Sequence, residues 1–156
     1  MIVKILVCFL AILIAISVFG CKILMPLPSI GDEYRLEYDP MTDVALVDSN
    51  DNYFIDGHIL EYGVDSTFVV VAQRPKDRFP ECTGEMPGST PDDCEKVFKK
   101  STFRQYWILN KKEKPEVTDR PGVYSNVYGP YTKAEYIQAR EKLGVPKGLQ
   151  LKPLKH

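Results

Sequence analysis

Residues 66–73 read Ser-Thr-Phe-Val-Val-Val-Ala-Gln, and Phe68 to Val71 form the most β-prone run in the chain. β-Branched and aromatic side chains favour strands because they pack well on a pleated surface. Such runs aggregate when they are exposed, so this strand should be covered on at least one face. The sequence therefore predicts a central strand within residues 66–73, around which a sheet is built.

Alternating or continuous apolar side chains predict further strands on both sides of this run. In residues 32–38, Tyr34, Leu36 and Tyr38 alternate with charged side chains, which is typical of a half-buried strand. Residues 44–55 hold two apolar runs around the turn-forming segment Asp-Ser-Asn-Asp-Asn, so we expect a hairpin there. The remaining strand candidates are 58–64, then 102–109 with apolar groups on both faces, and 123–128, which Gly129-Pro130 ends.

The C-terminal helix is predicted from its capping residues. Thr132 and Glu135 have the spacing of a capping box, so a helix should run from Lys133 to Leu143. Gly144 follows at the position that commonly ends a helix. The side chains expected near one face of this helix are Tyr136, Ile137, Arg140 and Leu143.

The first twenty residues have the composition of a secretory signal. Lys4 is followed by Ile5 to Phe19, fifteen residues in which only Ser17 is polar. A membrane-spanning helix needs about 20 apolar residues, so this stretch is short for one. The segment Val18-Phe19-Gly20-Cys21 resembles the lipobox of bacterial lipoproteins, in which the peptide is cut before a cysteine that carries a diacylglycerol. The resemblance implies lipidation of Cys21; an uncleaved anchor and a signal peptide cut elsewhere are the alternatives.

The expected location follows from that lipid. The domain would be anchored to the cell membrane or the outer membrane and would face the periplasm or the exterior. Lys22 follows the cysteine where an Asp would direct retention, which resembles an outer-membrane sorting signal if the host has such a membrane. Residues 21–30, with Pro26 and Pro28, would form a short lipidated tether.

Cys82 and Cys94 form an even pair in a chain that is expected to be exported to an oxidising compartment. They bracket residues 83–93, a loop with few apolar residues to hold it, and closing a loop near this length contributes about 3 kcal/mol. A zinc pair would need further ligands nearby, and a redox pair usually has only two intervening residues. We therefore predict a structural disulfide. It would tie back a short helix over residues 91–99, which Thr90 caps.

Together these elements predict an α+β domain. It would contain an antiparallel β-sheet of about five to seven strands, with the C-terminal amphipathic helix packed on one face and the short disulfide-tied helix beside it. A length of 156 residues leaves room for one domain. The predicted organisation is a lipoprotein signal peptide (1–20), a lipidated tether (21–30), a single α+β domain (31–146) and a loose C-terminal tail (147–156).

The second half of the domain carries a family resemblance. The segments that carry it are Tyr106-Trp107-Ile108-Leu109, Val127-Tyr128-Gly129-Pro130-Tyr131-Thr132, Glu135-Tyr136 and Lys142-Leu143-Gly144-Val145. This pattern resembles a family of small uncharacterised bacterial lipoproteins and covers residues 103–146. Relative to that family, residues 110–122 look like an insertion. The resemblance implies a fold and a location, and it brings no established activity.

The composition and motifs exclude several classes of site. With 20 Lys and Arg against 21 Asp and Glu, the net charge of −1 lacks the positive excess of a nucleic-acid binder. His58 has no accompanying nucleophile motif, so a sheet-surface histidine is a simpler interpretation than a general base. The acidic turn at 48–52 resembles the start of a calcium loop, but Tyr53 and Ile59 stand where Gly and Glu are needed. We predict no metal, no cofactor and no catalytic residue.

The candidate interaction surface consists of tyrosines. Three cluster in sequence and one lies on the neighbouring predicted strand: Tyr124, Tyr128, Tyr131 and Tyr106. Exposed tyrosines supply rigid contact area for a protein or glycan partner, whereas aromatic pairs that stabilise cross-strand packing are the alternative interpretation. Two long loops, 75–89 and 110–122, are further candidates. The second contains lysines that could meet anionic headgroups: Lys111, Lys112 and Lys114.

These observations favour a membrane-anchored bacterial lipoprotein that acts as a non-catalytic binding or inhibitory module in the cell envelope. Its partners would be the membrane, through the N-terminal lipid, and an envelope or extracellular protein or glycan, with no nucleic acid. One alternative is a cell-envelope hydrolase that uses a carboxylate pair, for example from residues 39–65. A second alternative is a structural envelope protein.

Overall fold

A computed structural model describes residues 27–39, 43–119 and 123–154. The predicted signal peptide, Cys21 and most of the predicted tether lie outside the described residues. None of the helices within these ranges combines the length and the hydrophobicity that a bilayer-spanning helix requires.

The first part of the domain folds into a three-stranded antiparallel sheet. Its strands, paired in chain order, are β1 (Tyr34–Asp39), β2 (Asp43–Asp48) and β3 (Tyr53–Ile55). The turn between β2 and β3 is held by the Asp48 carboxylate, which accepts from the backbone N–H groups of Asn50 at 2.8 Å and Asn52 at 2.9 Å. These bonds use the short polar side chains expected of a turn, and the predicted hairpin over 44–55 is confirmed.

The rest of the chain contributes a five-stranded antiparallel sheet. Its strands are β4 (Ile59–Val64), β5 (Phe68–Gln73), β6 (Gln105–Asn110), β7 (Val127–Tyr131) and β8 (Lys152–Pro153). They pair in the order β7-β6-β5-β4-β8, which places β5 in the middle. All six residues of β5 are buried, so the valine-rich run forms the predicted central strand.

The prediction of one sheet is wrong, because the strands of the described residues divide into two sheets. The three-stranded sheet covers one face of the five-stranded sheet, and Leu46 and Ile55 lie in the same core cluster as Val69 and Val71. The opposite face packs against the C-terminal helix through a second cluster that contains Val70. Since β5 is apolar on both faces, it requires a cover on both. The alternation in β1 shows that one face is buried but does not specify what buries it.

Three α-helices within the described ranges complete the domain. They are α1 (Pro80–Thr83), α2 (Pro91–Lys100) and α3 (Lys133–Lys142). The Thr90 side chain caps α2, and Thr132 with Glu135 forms the predicted capping box of α3. Both helices therefore begin where the sequence predicts.

The buried face of α3 differs from the predicted one. Tyr136 and Ala139 are buried, whereas Ile137 is 59% exposed. Adjacent helical residues are about 100° apart around the axis, so a helix that buries Tyr136 turns Ile137 toward its edge. The apolar character of Ile137 therefore does not place it in the core.

The segment that was expected to be a loose tail is packed. Leu149 and Leu154 are buried, and β8 pairs with β4. The Arg140 guanidinium donates to the carbonyl groups of Pro146 at 2.8 Å and Leu149 at 2.5 Å. Two isolated leucines bury enough apolar surface to hold this segment, although their spacing gives no helical or strand pattern.

The predicted disulfide between Cys82 and Cys94 is present, with the two Cα atoms 4.7 Å apart. It joins α1 to α2 within an excursion that also contains a 3₁₀ turn, Lys76–Arg78. Neither these two helices nor the turn contains a fully buried residue. The disulfide therefore holds together a segment that has little core of its own.

Candidate functional site

The structure separates the four predicted tyrosines. Tyr106 and Tyr131 are paired across β6 and β7, and with Tyr128 they pack on the α3 side of the five-stranded sheet. Tyr124 packs into the core between the two sheets, where its ring stacks on Phe54 at 4.0 Å. Three of the four tyrosines thus share one side of the sheet, while Tyr124 supports the core.

Tyr128 is engaged inside the molecule. Its hydroxyl donates to Glu113 Oε2 at 2.6 Å. That hydrogen bond, followed by burial, raises the pKa of Tyr128 to about 12. The same carboxylate accepts from the Asn110 side-chain amide through its other oxygen, at 2.7 Å. Tyr128 therefore fastens the loop that follows β6.

The other two tyrosines line an open groove of about 530 Å³, which we call the aromatic groove and define by Phe103, Tyr106, Pro130 and Tyr131. Phe103 is 43% exposed. Tyr106 is fixed from behind, because its ring stacks on Tyr136 of α3 with centroids 5.0 Å apart. The groove thus presents aromatic side chains that are positioned by the sheet and by α3.

Basic side chains surround the aromatic groove. Arg78, Arg104 and Lys133 line it together with a single carboxylate, that of Glu135. Glu135 is occupied, since its carboxylate accepts from the backbone N–H of Thr132 at 2.8 Å in the capping box of α3. Within the described part of the chain none of the three cations forms an ion pair with a carboxylate. The groove is therefore electropositive.

Arg78 has a neutral partner. In the amide orientation that satisfies both groups, the Gln105 side-chain oxygen accepts from Arg78 Nε at 3.1 Å and from Nη2 at 3.2 Å. Gln105 is buried, so it holds the guanidinium at the groove without cancelling its charge.

The aromatic groove and the predicted tether lie at opposite ends of β6. Phe103 and Arg104 immediately precede β6, and Tyr131 ends the antiparallel β7. At the far end of β6, Lys111 Nζ donates to the carbonyl oxygen of Ile30 at 3.4 Å, which marks where the chain enters the domain. Five residue steps along a strand span about 17 Å. The groove and the chain entry are therefore separated by about the length of this strand.

A second cleft, of about 340 Å³, lies at the same end of the sheet and is lined by His58, Gln73 and Trp107. The Gln73 side chain donates to the carbonyl oxygens of Asp56 and, at 2.8 Å, Gly57. Its own amide oxygen accepts from Trp107 Nε1 at 2.7 Å. The polar groups of Gln73 are thus satisfied internally, and the cleft wall is rigid.

His58 is a buried residue rather than the sheet-surface histidine expected from the sequence. It is 8% exposed and has a φ of 62°, a left-handed conformation that few non-glycine residues adopt. Its ring packs 4.6 Å from that of Phe98, and Nδ1 lies 3.9 Å from Asp43 Oδ2. Burial, followed by the charge of Lys76, lowers the pKa of His58. Its surroundings therefore favour the neutral form of the imidazole.

Sequence reasoning identified Tyr106 and Tyr131 but missed the other residues of the groove. Phe103 and Arg104 were assigned to a strand that begins only at Gln105, and Arg78 was one of several polar residues in a long loop. The alternation of cations in Arg74, Lys76 and Arg78 was visible in the sequence. The proximity of Arg78 to β7 depends on pairing between distant strands, which no local pattern encodes.

Comparison with known proteins supports one part of the resemblance seen in the second half of the chain, namely that the domain belongs to an uncharacterised family. No curated protein and no solved structure matches the chain. A family whose description reads "Protein of unknown function (DUF3997)" matches residues 34–155, which include every strand and helix described above. The chain therefore belongs to this family of unknown function.

Proposed function

We propose that this protein is a lipid-anchored lipoprotein of the bacterial envelope whose domain is a non-catalytic binding module. The aromatic groove is its binding surface, and the partner is an envelope or extracellular protein or glycan. The observation that carries the proposal is the placement of this groove at the end of β6 opposite the point where the chain enters the domain.

Tether length supports this orientation. Cys21 and Ile30 are nine residues apart, and a fully extended chain spans at most about 3.6 Å per residue, or about 32 Å here. A lipid on Cys21 would keep the Lys111 end of the domain within that distance of the bilayer surface. The aromatic groove would then open away from the membrane, where a partner in front of the membrane can reach it.

The groove has the side chains of a recognition surface. Aromatic and arginine side chains contribute most to binding because they offer large contact areas with little conformational entropy to lose. A general acid, by contrast, needs a carboxyl group with a raised pKa. The described carboxyl groups with a shifted pKa, all lowered, are Asp48, Asp93, Glu95 and Glu135. These four groups are suited to local hydrogen bonds and ion pairs, and the groove is suited to binding.

The anchoring half of the proposal is tested by the mass of the mature protein isolated from its native membranes. We expect a chain that begins at Cys21 and carries acyl chains. A mature chain that still begins at Met1 without lipid would contradict the proposal.

The binding half is tested by photo-crosslinking in intact cells. A crosslinking amino acid at Phe103 should capture a partner, and the same amino acid at Tyr38, which is 53% exposed on the other sheet, should not. An additional Tyr131→Ala substitution should reduce capture from position 103. Equal capture from both positions would show that the groove has no special role.

One observation supports the alternative that the domain is a cell-envelope hydrolase with a carboxylate pair. Asp56 and Asp77 both line the cleft beside His58, so two carboxylates share one cavity. If the domain cleaves envelope polymers, Asp56→Asn and Asp77→Asn should each abolish turnover by the purified full-length protein. Turnover that is undetectable in the wild-type protein would remove this alternative.

A further inference from the structure

The end of the molecule that carries the aromatic groove concentrates positive charge. Arg74, Lys76 and Arg78 follow β5 at every second position, and Arg104 precedes the neighbouring strand. Arg74 and Arg104 are close enough that burial and the Arg104 charge together lower the pKa of Arg74. Among the described residues none of these four cations forms an ion pair with a carboxylate, so this end attracts anions.

Among the described residues the ion pairs of acidic α2 side chains lie within the helix, and none involves these cations. Glu95 pairs with Lys99 at 2.6 Å, and Asp93 caps the helix and lies 3.7 Å from Lys96. Asp77 and Glu81 also belong to the excursion, but among the described residues neither forms an ion pair. The guanidinium groups at the groove therefore keep unused hydrogen-bond donors.

The aromatic side chains restrict what kind of anion fits. Phe103 and Tyr131 line the groove together with Arg104, whose guanidinium donates to the carbonyl oxygen of Phe103 at 2.8 Å. A pyranose ring stacks its C–H face on an aromatic ring, and a carboxylate on that pyranose lies at the ring edge, a few bonds away. The same groove is lined by the guanidinium groups of Arg78 and Arg104, whose fork of donors matches a carboxylate.

We propose that the aromatic groove binds an acidic polysaccharide whose negative charges are carboxylates on its sugar rings, with sugars stacked on Phe103 and Tyr131 and carboxylates held by Arg104 and Arg78. This inference rests on the proposed binding function and specifies its ligand class. A polyol phosphate has no ring to stack on the aromatic groups, and an acidic peptide places its carboxylates on flexible side chains. The acidic polysaccharide matches both features of the groove.

The position of the groove favours a ligand in front of the anchoring membrane over the headgroups of that membrane. The groove lies about 17 Å or more along β6 from the chain entry. At physiological salt, charge interactions are screened over about 8 Å. When the chain-entry end of the domain faces the bilayer, the cations at the groove therefore act on a polymer in front of the membrane.

The test uses the full-length protein in a neutral detergent, titrated with oligogalacturonate as the carboxylated glycan. We expect binding that weakens as salt is raised, that falls by about tenfold or more in Arg104→Gln, and that falls less in Arg104→Lys, which keeps the charge but loses the fork. Phe103→Ala should also weaken binding. The controls are Lys112→Gln, an exposed lysine near the tether, and Tyr38→Ala, and both should bind as the wild type does.

Three competitors decide the ligand class: neutral maltooligosaccharide, poly(glycerol phosphate) and polyglutamate. Oligogalacturonate should bind at least tenfold more tightly than each of them. Equal binding of polyglutamate would show that charge alone acts, and tighter binding of poly(glycerol phosphate) or no binding of oligogalacturonate would overturn the inference. If crosslinks from position 103 capture a protein while oligogalacturonate fails to bind, the binding function stands and the glycan inference falls.

Discussion

The side-chain amide of Asn126 donates to the hydroxyl of Tyr34 at 3.1 Å, which joins two residues 92 positions apart and connects the two sheets. Asn126 is fully buried and Tyr34 is 5% exposed. The same amide nitrogen lies 3.3 Å from the carbonyl oxygen of Asn110, at the end of β6. This amide therefore fixes how the three-stranded sheet sits on the five-stranded sheet.

Removing the Asn126 side chain should destabilise the domain more than removing the Tyr34 hydroxyl. Tyr34→Phe deletes one hydrogen bond and leaves the amide its carbonyl partner, so we expect the free energy of unfolding to fall by about 1 kcal/mol. Asn126→Ala also leaves the buried Tyr34 hydroxyl unpaired and opens a cavity, at a cost of about 3 kcal/mol. Urea denaturation measures both, with the exposed Tyr38→Phe as control. Equal stability of Tyr34→Phe and the wild type would show that the hydrogen bond between the sheets contributes nothing.

His58 should make stability depend on pH in the weakly acidic range. Its pKa is lowered from the ordinary value of 6.5 by burial and then by Lys76 and Arg74, against opposing contributions from Asp43 and Asp56. The unfolded chain therefore binds a proton first, so the stability that is present above pH 6.5 declines as the pH falls toward the pKa of the folded state. His58→Gln should reduce this slope in thermal melts recorded between pH 7.5 and about 5. His156→Gln is the control, and an unchanged slope in His58→Gln would contradict the assignment.

The disulfide should protect one segment rather than the whole domain. Since residues 76–100 contain no fully buried side chain in their helices and turn, little besides Cys82–Cys94 and Phe98 holds them. In the Cys82→Ser/Cys94→Ser double variant, the free energy of unfolding of this segment should fall by about 3 kcal/mol. In hydrogen exchange, the amides of α1 and α2 should exchange faster in the variant than in the wild type, whereas the exchange rates of the β5 amides should stay the same. A uniform acceleration across all strands would mean that the excursion is part of the central core.

The strands and helices of this domain could largely be predicted from local sequence, but their arrangement could not. The Phe68–Val71 run and the capping residue Thr132 act within a few positions, so β5 and α3 lie where they were expected. The division into two sheets depends on β4 turning away from β3 after Asp56-Gly57, a choice made by contacts between distant residues. The aromatic groove, likewise, joins Arg78 to Tyr131 only through strand pairing.

The packed C-terminal segment should be essential for stability. Gly63 of β4 lies so close to this segment that a Cβ there would overlap the carbonyl oxygen of Gln150 and approach Val70 Cγ2 to 3.0 Å. Gly63→Ala should therefore push the segment off the sheet. A chain that ends at Gly148 loses the burial of Leu149 and Leu154, which we expect to cost about 3 kcal/mol or more. Urea denaturation of the truncated chain decides the matter, and a midpoint equal to that of the full chain would show that the segment is dispensable.

Gly129 should be required for the contact between β6 and β7 and hence for the aromatic groove. Its φ is 133°, and a Cβ there would lie 2.8 Å from the Tyr106 carbonyl oxygen and 2.9 Å from Trp107 Cε3. Gly129→Ala must separate the two strands, so we expect the free energy of unfolding to fall by about 2 kcal/mol or more. The fluorescence of Trp107, the single tryptophan of the chain, should shift, and oligogalacturonate binding should weaken. Gly148→Ala is the matched control, because open space surrounds that position and its backbone conformation suits alanine. If Gly129→Ala keeps the melting temperature and tryptophan emission of the wild type, close approach of the strands does not govern the geometry of the groove.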